Sequence, residues 1–269
     1  MKKNLFKNSR KLKLLFAMPL FVVLSYGSSH GFAAPILGHE LASFAVLGAS
    51  TVTNTGPTIL TGNLGVSPGS AITGFFGTNE NDGPGQFTGT AYQAVPYAAT
   101  AQNQLGDAIS YLGGLAFTSD LTGLDLGGLT LNPGIYNFDT TAQLTGTLNL
   151  NNSDPSAIFV FQIGSTLTAA SSSTVNLSNS FADNVYWNVG SSVTLGTNTS
   201  FQGNILADQS ITLATGATIV HGRALAHIGA VTMDTNLVSA VPEPQAYAML
   251  LAGLGLLGFM VRRRKESAL

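Results

Sequence analysis

The middle and late parts of this 269-residue chain repeat one short pattern, an apolar residue followed by threonine. It occurs as GGLT ending at Thr130, AQLT at Thr145, STLT at Thr168, SSVT at Thr194, QSIT at Thr212 and GAVT at Thr232. The last three threonines stand 18 and then 20 residues apart. A unit of about twenty residues, built of apolar residues, turn formers and strand formers, buries its apolar side by stacking on its neighbours. The pattern therefore predicts a solenoid. Side chains alternate along a strand, so Leu129, Leu144, Leu167, Val193, Ile211 and Val231 are expected inside and the threonines beside them outside. A second strand repeats as FQGNILA (201–207) and VHGRALA (220–226), where Gly203 and Gly222 mark a tight bend or a close approach of coils. Turn chemistry stands at NDGPG (81–85), NPG (132–134) and NNSDPS (151–156).

Helical spacing appears once, in YAATAQNQLGDAISYLGG (97–114). Ala101, Leu105, Ala108, Ile109 and Leu112 form one apolar stripe, which predicts a helix over about 97–112 lying along something larger. Pro96 suits the first turn and Gly113-Gly114 the stop.

The two ends read as targeting segments. Residues 1–33 carry a basic stretch (Lys2, Lys3, Lys7, Arg10, Lys11, Lys13), the apolar run LLFAMPLFVVL and a small-residue exit. That order is expected of a signal peptide cleaved by signal peptidase after Ala33; the run is too short for the alternative, a spanning anchor. At the other end, Pro242-Glu243-Pro244 precedes an apolar stretch of 16 residues, Ala246 to Val261, and then Arg262, Arg263, Arg264 and Lys265. This stretch is at the short limit for a membrane helix, with its basic end expected on the cytoplasmic side. Residues 242–269 resemble the PEP-CTERM sorting signal. The resemblance implies processing by an exosortase in a Gram-negative bacterium, and a location at the cell surface, in the matrix or outside the cell. A plain tail anchor is the alternative. The glycines of GLGLLG (Gly253, Gly255, Gly258) match a dinucleotide fingerprint, but with no strand before them they carry no cofactor.

Between these ends, residues 34–241 form one domain with Arg223 as its only basic residue and eleven carboxylates, a formal charge of −10. Phosphate contacts need a basic surface, so nucleic acid and anionic lipid are not expected partners. Without cysteine there are no disulfides or thiolate metal sites. No metal-ligand spacing stands out, and no cofactor is expected. An enzyme acting on polysaccharide needs a carboxylate pair or a base. Here Asp120, Asp125, Asp139, Asp154, Asp183, Asp208 and Asp234 sit beside turn residues, where such side chains bond local backbone. His221 and His227 near Arg223 are expected to cap or to be solvated, and no catalytic residue is assigned. A matrix adhesin binding exopolysaccharide is a second alternative, but Phe159, Phe161, Tyr186 and Trp187 fall in core-like strands.

Several long stretches carry a family resemblance: TNTGPTILTGNLGVSPGSAITGF (53–75), LNPGIYNF (131–138), IFVFQIGSTLTAASSSTVNL (158–177), NVYWNVGSSVTLGTNTSFQGNILA (184–207) and GATIVHGRALAHIGAVTMD (216–234). In this order they resemble the bacterial and fungal ice-binding proteins with the DUF3494 domain. The resemblance implies a discontinuous right-handed β-solenoid with one long α-helix packed alongside, its N-terminal strands returning to complete the stack. It further implies adsorption to an ice crystal through a flat Thr-rich face, with antifreeze or recrystallisation-inhibiting effect.

Some members carry Thr-Ala/Gly-X-Thr/Asn on that face; TGPT (Thr55, Thr58) and TGAT (Thr215, Thr218) match it. The candidate ice contacts are these four, the ladder residues Thr194, Thr212 and Thr232, and Thr197, Thr199 and Thr235 in the same coils. Threonine is also a favoured strand residue. Whether Thr212 or the Thr215–Thr218 pair faces ice stays open at this level.

Overall fold

The computed structural model describes residues 36–78, 83–151, 154, 157–178, 184–240 and 253–254. These belong to the second of two compact units, Ala34–Leu269; the first, Met1–Ala33, holds the predicted signal peptide and lies outside the described residues. The apolar tail read as a membrane helix also lies outside them, apart from 253–254. Among the described residues no helix is long and apolar enough to cross a membrane.

The repeat folds as a parallel β-solenoid whose full coils have three strands. One sheet has seven strands, in spatial order Ala142–Leu144, Leu167–Ala169, Val193–Leu195, Ile211–Leu213, Val231–Met233, Thr51–Asn54 and Ala71–Thr73. The other sheet turns a corner and forms two faces. Ser200–Ala207 and Thr218–Ala226 run through both of these faces, with a bulge after Gln202. At that corner Gly203 has φ 98° and His221 φ 53°. A Cβ on Gly222 would stand 1.9 Å from the Gly203 carbonyl oxygen, so the bend and the close coil contact both occur here.

The coils do not stack in chain order. Thr51–Asn54 pairs with Val231–Met233, Phe44–Gly48 inserts between Thr218–Ala226 and Asn63–Val66, and Leu237–Ser239 pairs with Ile59–Thr61. The first coils of the chain thus stack onto the last on every face, as the resemblance implied.

Inside, Leu167, Val193, Ile211, Val231, Val52 and Ile72 stack from coil to coil. Tyr136, Phe161, Trp187 and Phe201 form a ring column with centroids 5.5, 4.0 and 4.8 Å apart, Phe161 lying nearly parallel to Trp187. The indole nitrogen donates to the Gln202 carbonyl at 3.0 Å, which satisfies the buried N–H.

Two of the six expected ladder members are not on the seven-stranded sheet. Thr130–Leu131 pairs with Asn149–Leu150 on another face, because Gly127 and Gly128 turn the chain before it. Leu126 is the buried residue of that coil and Leu129 is only partly buried. In the next coil Gln143, not Thr145, stands opposite Thr168. Leu144 still points inward, but it matches Ala169. A two-residue offset preserves inside and outside while changing which residue joins the row.

The helix α2 (Pro96–Gly113) covers one face, with Val95 as N-cap and Pro96 in the first turn. A short helix, α1 (His39–Ala42), packs beside it. Ala98, Ala101, Leu105, Ala108 and Leu112 are buried against Val160, Tyr186, Leu206, Leu225 and Leu47, while Ile109 is partly buried. Gln162 donates to the carbonyls of Leu112 and Leu115 at 2.7 and 2.8 Å, and Asn188 to that of Ile109 at 3.1 Å. The Gln162 amide thus satisfies carbonyls at and just beyond the helix end, where the intrahelical ladder runs out, and Asn188 adds a second bond to the carbonyl of Ile109.

Candidate functional site

With one face under α2, two faces remain open among the described residues. On the seven-stranded sheet the central outward position is Gln143, Thr168, Thr194, Thr212, Thr232, Thr53 and Thr73, directly opposed from strand to strand. Thr168, Thr194, Thr212 and Thr232 are exposed; Thr53 and Thr73 are half-buried. The Thr53 hydroxyl donates to that of Thr232 at 3.4 Å. The residues two before this row are Thr166, Ser192, Ser210, Ala230, Thr51 and Ala71, and those two after it Ala170, Gly196, Ala214, Asp234 and Thr55, while past Thr73 the chain turns at Gly74 and buries Phe75. Nearly all are small, so nothing but Gln143 and Asp234 rises above a threonine. We call this the ladder face.

The other open face is rougher. Its outward row runs Thr147, Thr174, Ser200, Thr218, Leu237, Ile59 and Gln86. Leu237 is 38% and Ile59 52% exposed, side by side. Asn149 and Asn176 stand in the next row, their amides joined at 3.0 Å.

The ten candidate threonines divide by position. Thr194, Thr212 and Thr232 are in the ladder. Thr197, Thr215, Thr235 and Thr55 are exposed at the corner between the two open faces. There the hydroxyls of Thr215 and Thr235 donate to the Asp234 carboxylate at 2.5 and 3.0 Å. The bonds from Thr215 and Thr235, aided by Thr55, outweigh desolvation and hold the Asp234 carboxyl below its ordinary value. Thr218 is half-buried on the rougher face.

Thr58 and Thr199 cannot touch a surface ligand: they are 0% and 1% exposed. Thr58 donates to Asn54 Oδ1 at 2.6 Å and Thr199 to the Ala170 carbonyl at 3.1 Å. Both turn inward at the corner, where Ser173, Ala217 and Asn236 are also buried. TGPT and TGAT share a pattern but not a register. Ile59 shares the row of Thr218, so Thr58 stands level with Ala217.

Thr53, Thr73 and Thr168 belong to the row yet were not among the candidate contacts. Val52-Thr53 and Ile72-Thr73 carry the same apolar–Thr signal, hidden by their place early in the chain.

Most of the side chains considered for chemistry are engaged structurally; His221 is exposed and Asp183 lies outside the described residues. Asp120 accepts from Thr122, Asp125 from the backbone of Gly127 and Thr145, Asp139 from Asn137, and Asp208 from Gln209. His227 Nδ1 lies 3.1 Å from Asp208 Oδ1. Arg223 is buried and bonds the Ala42 carbonyl and Asn204. A groove of about 370 Å³ beside the end of α2 has Asp139 as the one titratable group in its lining. Among the described residues no group of three or more His, Cys, Asp or Glu is placed to hold a metal ion. Trp187, Tyr186, Phe159 and Phe161 are all buried.

Residues 46–239 match the model of the Ice-binding-like family. The chain belongs to that family. It is 48% identical over 271 residues to an ice-binding protein of Nostoc sp. (strain HG1), covering 96% of this chain and 97% of that protein. Among solved structures, it resembles the ice-binding protein of the Antarctic ascomycete Antarctomyces psychrotrophicus at TM-score 0.71 and 36% identity, covering 76% of this chain and 98% of that one. The DUF3494 domain of Shewanella frigidimarina ice-binding protein 1 matches at TM-score 0.70 and 29% identity, over 78% of this chain and 98% of that one. The family match contains both open faces and α2. Residues 240–265 match the PEP-CTERM protein-sorting motif, so this Ice-binding-like domain is followed at once by a sorting signal.

Proposed function

We propose that the protein adsorbs to ice through the ladder face, without catalysis, and so restrains crystal growth and recrystallisation. The observation that carries this is six threonines in unbroken register on an uncovered face of small side chains. Ice is uncharged and periodic, so its ligand needs flatness, repetition and modest polarity. Coils of a parallel sheet stack about 4.8 Å apart, which gives the hydroxyls a fixed repeat. Threonine is stiff at χ1, so hydroxyl and methyl stay in place at little entropic cost. Each hydroxyl bond adds roughly 0.5–1.5 kcal/mol net, and adsorption sums many preorganised positions. The names of the relatives agree with this reading.

The rougher face is the second candidate, favoured by the adjacent exposed Ile59 and Leu237 beside Thr218. Exopolysaccharide binding has less support, since Phe159, Phe161, Tyr186 and Trp187 are interior and the exposed rings of Phe76, Tyr111 and Phe117 stand on none of the strands. Signal peptidase and an exosortase are the processing partners that the two ends call for, and a Gram-negative cell surface is the destination.

Ice-affinity partitioning, with thermal hysteresis, tests the face. Thr212→Tyr and Thr232→Tyr should each lower ice incorporation several-fold, and Thr218→Tyr and Leu237→Lys should leave it nearly unchanged. The reverse outcome moves the site to the rougher face. Exclusion of the wild-type protein from ice defeats the proposal.

A further inference from the structure

Three-sided coils have a corner opposite each face. Opposite the ladder face lies the corner where the second sheet bends, marked by Gly203 and His221 in successive coils. In the next two coils the equivalent residues are Ala240 and Gly62, because Ser239 and Thr61 follow Val220 in register. Ala240 donates its N–H to the Thr61 carbonyl at 3.0 Å. A Cβ built on Gly62 would lie 3.3 Å from that of Ala240 and 3.1 Å from that of Ala45. The matched sorting motif begins at residue 240, so the tail departs from this corner. The chain also enters the solenoid there: the Asn63 N–H bonds the Ser43 carbonyl just before Phe44–Gly48 joins the covered face.

We infer that anchoring through the sorting tail directs the ladder face away from the anchoring surface, so that the attached protein binds ice and makes its support adhere to ice. This rests on ice adsorption through the ladder face and adds the direction from which ice must approach. The physical reason is rigid geometry. The tether leaves from the one corner that borders only the other two faces, and the full depth of the buried core separates it from the threonines. No release step is then needed for the face to be reached.

The absence of cysteine makes the test direct, since a single introduced thiol gives one coupling point. The full-length chain, solubilised in detergent, would be prepared as Val241→Cys and as Thr194→Cys, and each coupled to maleimide beads. Both uncoupled variants and the wild type would be measured alongside. Beads joined through position 241 are expected to be taken into a growing ice hemisphere, at a level at least ten times that of beads joined through position 194. If the 241 beads are excluded while the uncoupled variant enters ice, the inference is overturned and ice binding stands. If both bead types enter equally, the ladder is not the binding face and the orientation is wrong. If the uncoupled wild-type chain stays out of ice, the ice-binding reading itself fails and takes this inference with it.

Discussion

The guanidinium of Arg223 holds the carbonyl of Ala42, 181 residues earlier in the chain, through Nε at 2.9 Å and Nη2 at 2.7 Å. Its third nitrogen, Nη1, donates to Asn204 Oδ1 at 2.7 Å. The domain's only basic residue thus fastens the point where the N-terminal strand enters the stack. Arg223→Met would leave two buried acceptors without these donors. The expected loss is about 2–4 kcal/mol, or on the order of 10 °C in Tm for a domain of this size. Thermal unfolding followed by circular dichroism checks it, and amide exchange should rise first in Phe44–Gly48. A change below a degree or two would show the clamp to be dispensable.

The ring column predicts a larger effect at its centre. Trp187 is fully buried between Phe161 and Phe201. Trp187→Ala should destabilise by about 3–5 kcal/mol, and Trp187→Phe by clearly less, because the cavity is smaller and one ring contact survives. Urea midpoints at unchanged slope would measure both. Equal losses would mean that the indole hydrogen bond, not packing, dominates.

Gly222→Ala should be among the worst small substitutions on the solenoid. Its methyl would stand 1.9 Å from the Gly203 oxygen, so the corner must open or the bulge must shift. A cost of about 2–4 kcal/mol is expected. Gly146→Ala gives the contrast: no atom beyond its chain neighbours lies within 4 Å of its new methyl, and only the positive φ of 90° penalises it. Near-equal stabilities of the two variants would contradict the close-approach account.

Acid should weaken the fold, and alkali should not do so through these groups. The carboxyls of Glu40, Asp120 and Asp234 lie below their ordinary values, held chiefly by side-chain hydrogen bonds from Gln104, Thr122 and Thr215 respectively. A group with a depressed folded pKa stabilises above its unfolded value, and that stability is lost as pH falls through the folded value. Stability should therefore be level from neutral to about pH 5 and decline below about pH 4. Asp234→Asn should flatten part of that decline. An unchanged acid limb in this variant would show that the threonine bonds do not distinguish the charged form.

Much of this was legible from residue order. Apolar–Thr alternation placed Val193, Ile211 and Val231 inside and their threonines outside, since a strand's period of two leaves no other choice once one side is buried. The stripe of Ala101, Leu105, Ala108 and Leu112 required a helix against a surface, and Val160, Leu206 and Leu225 form that surface. Register was less legible. Thr145 and Thr130 carry the same dipeptide as Thr168, yet Thr130 follows the Gly127-Gly128 turn onto another face and Thr145 falls two residues past Gln143, which takes the place in the row.

By itself, then, the sequence determined a stacked, charge-poor solenoid with hydroxyls outward and a helix along one side, because those follow from local alternation and period. Only the tertiary structure decided which hydroxyls share a face. Thr53 and Thr73 join Thr232 because the first coils return onto the last, a pairing of residues 179 positions apart that no local pattern encodes. Thr58 and Thr199 leave the surface because the corner needs polar side chains to satisfy its buried backbone, and that demand appears only once the coils are stacked.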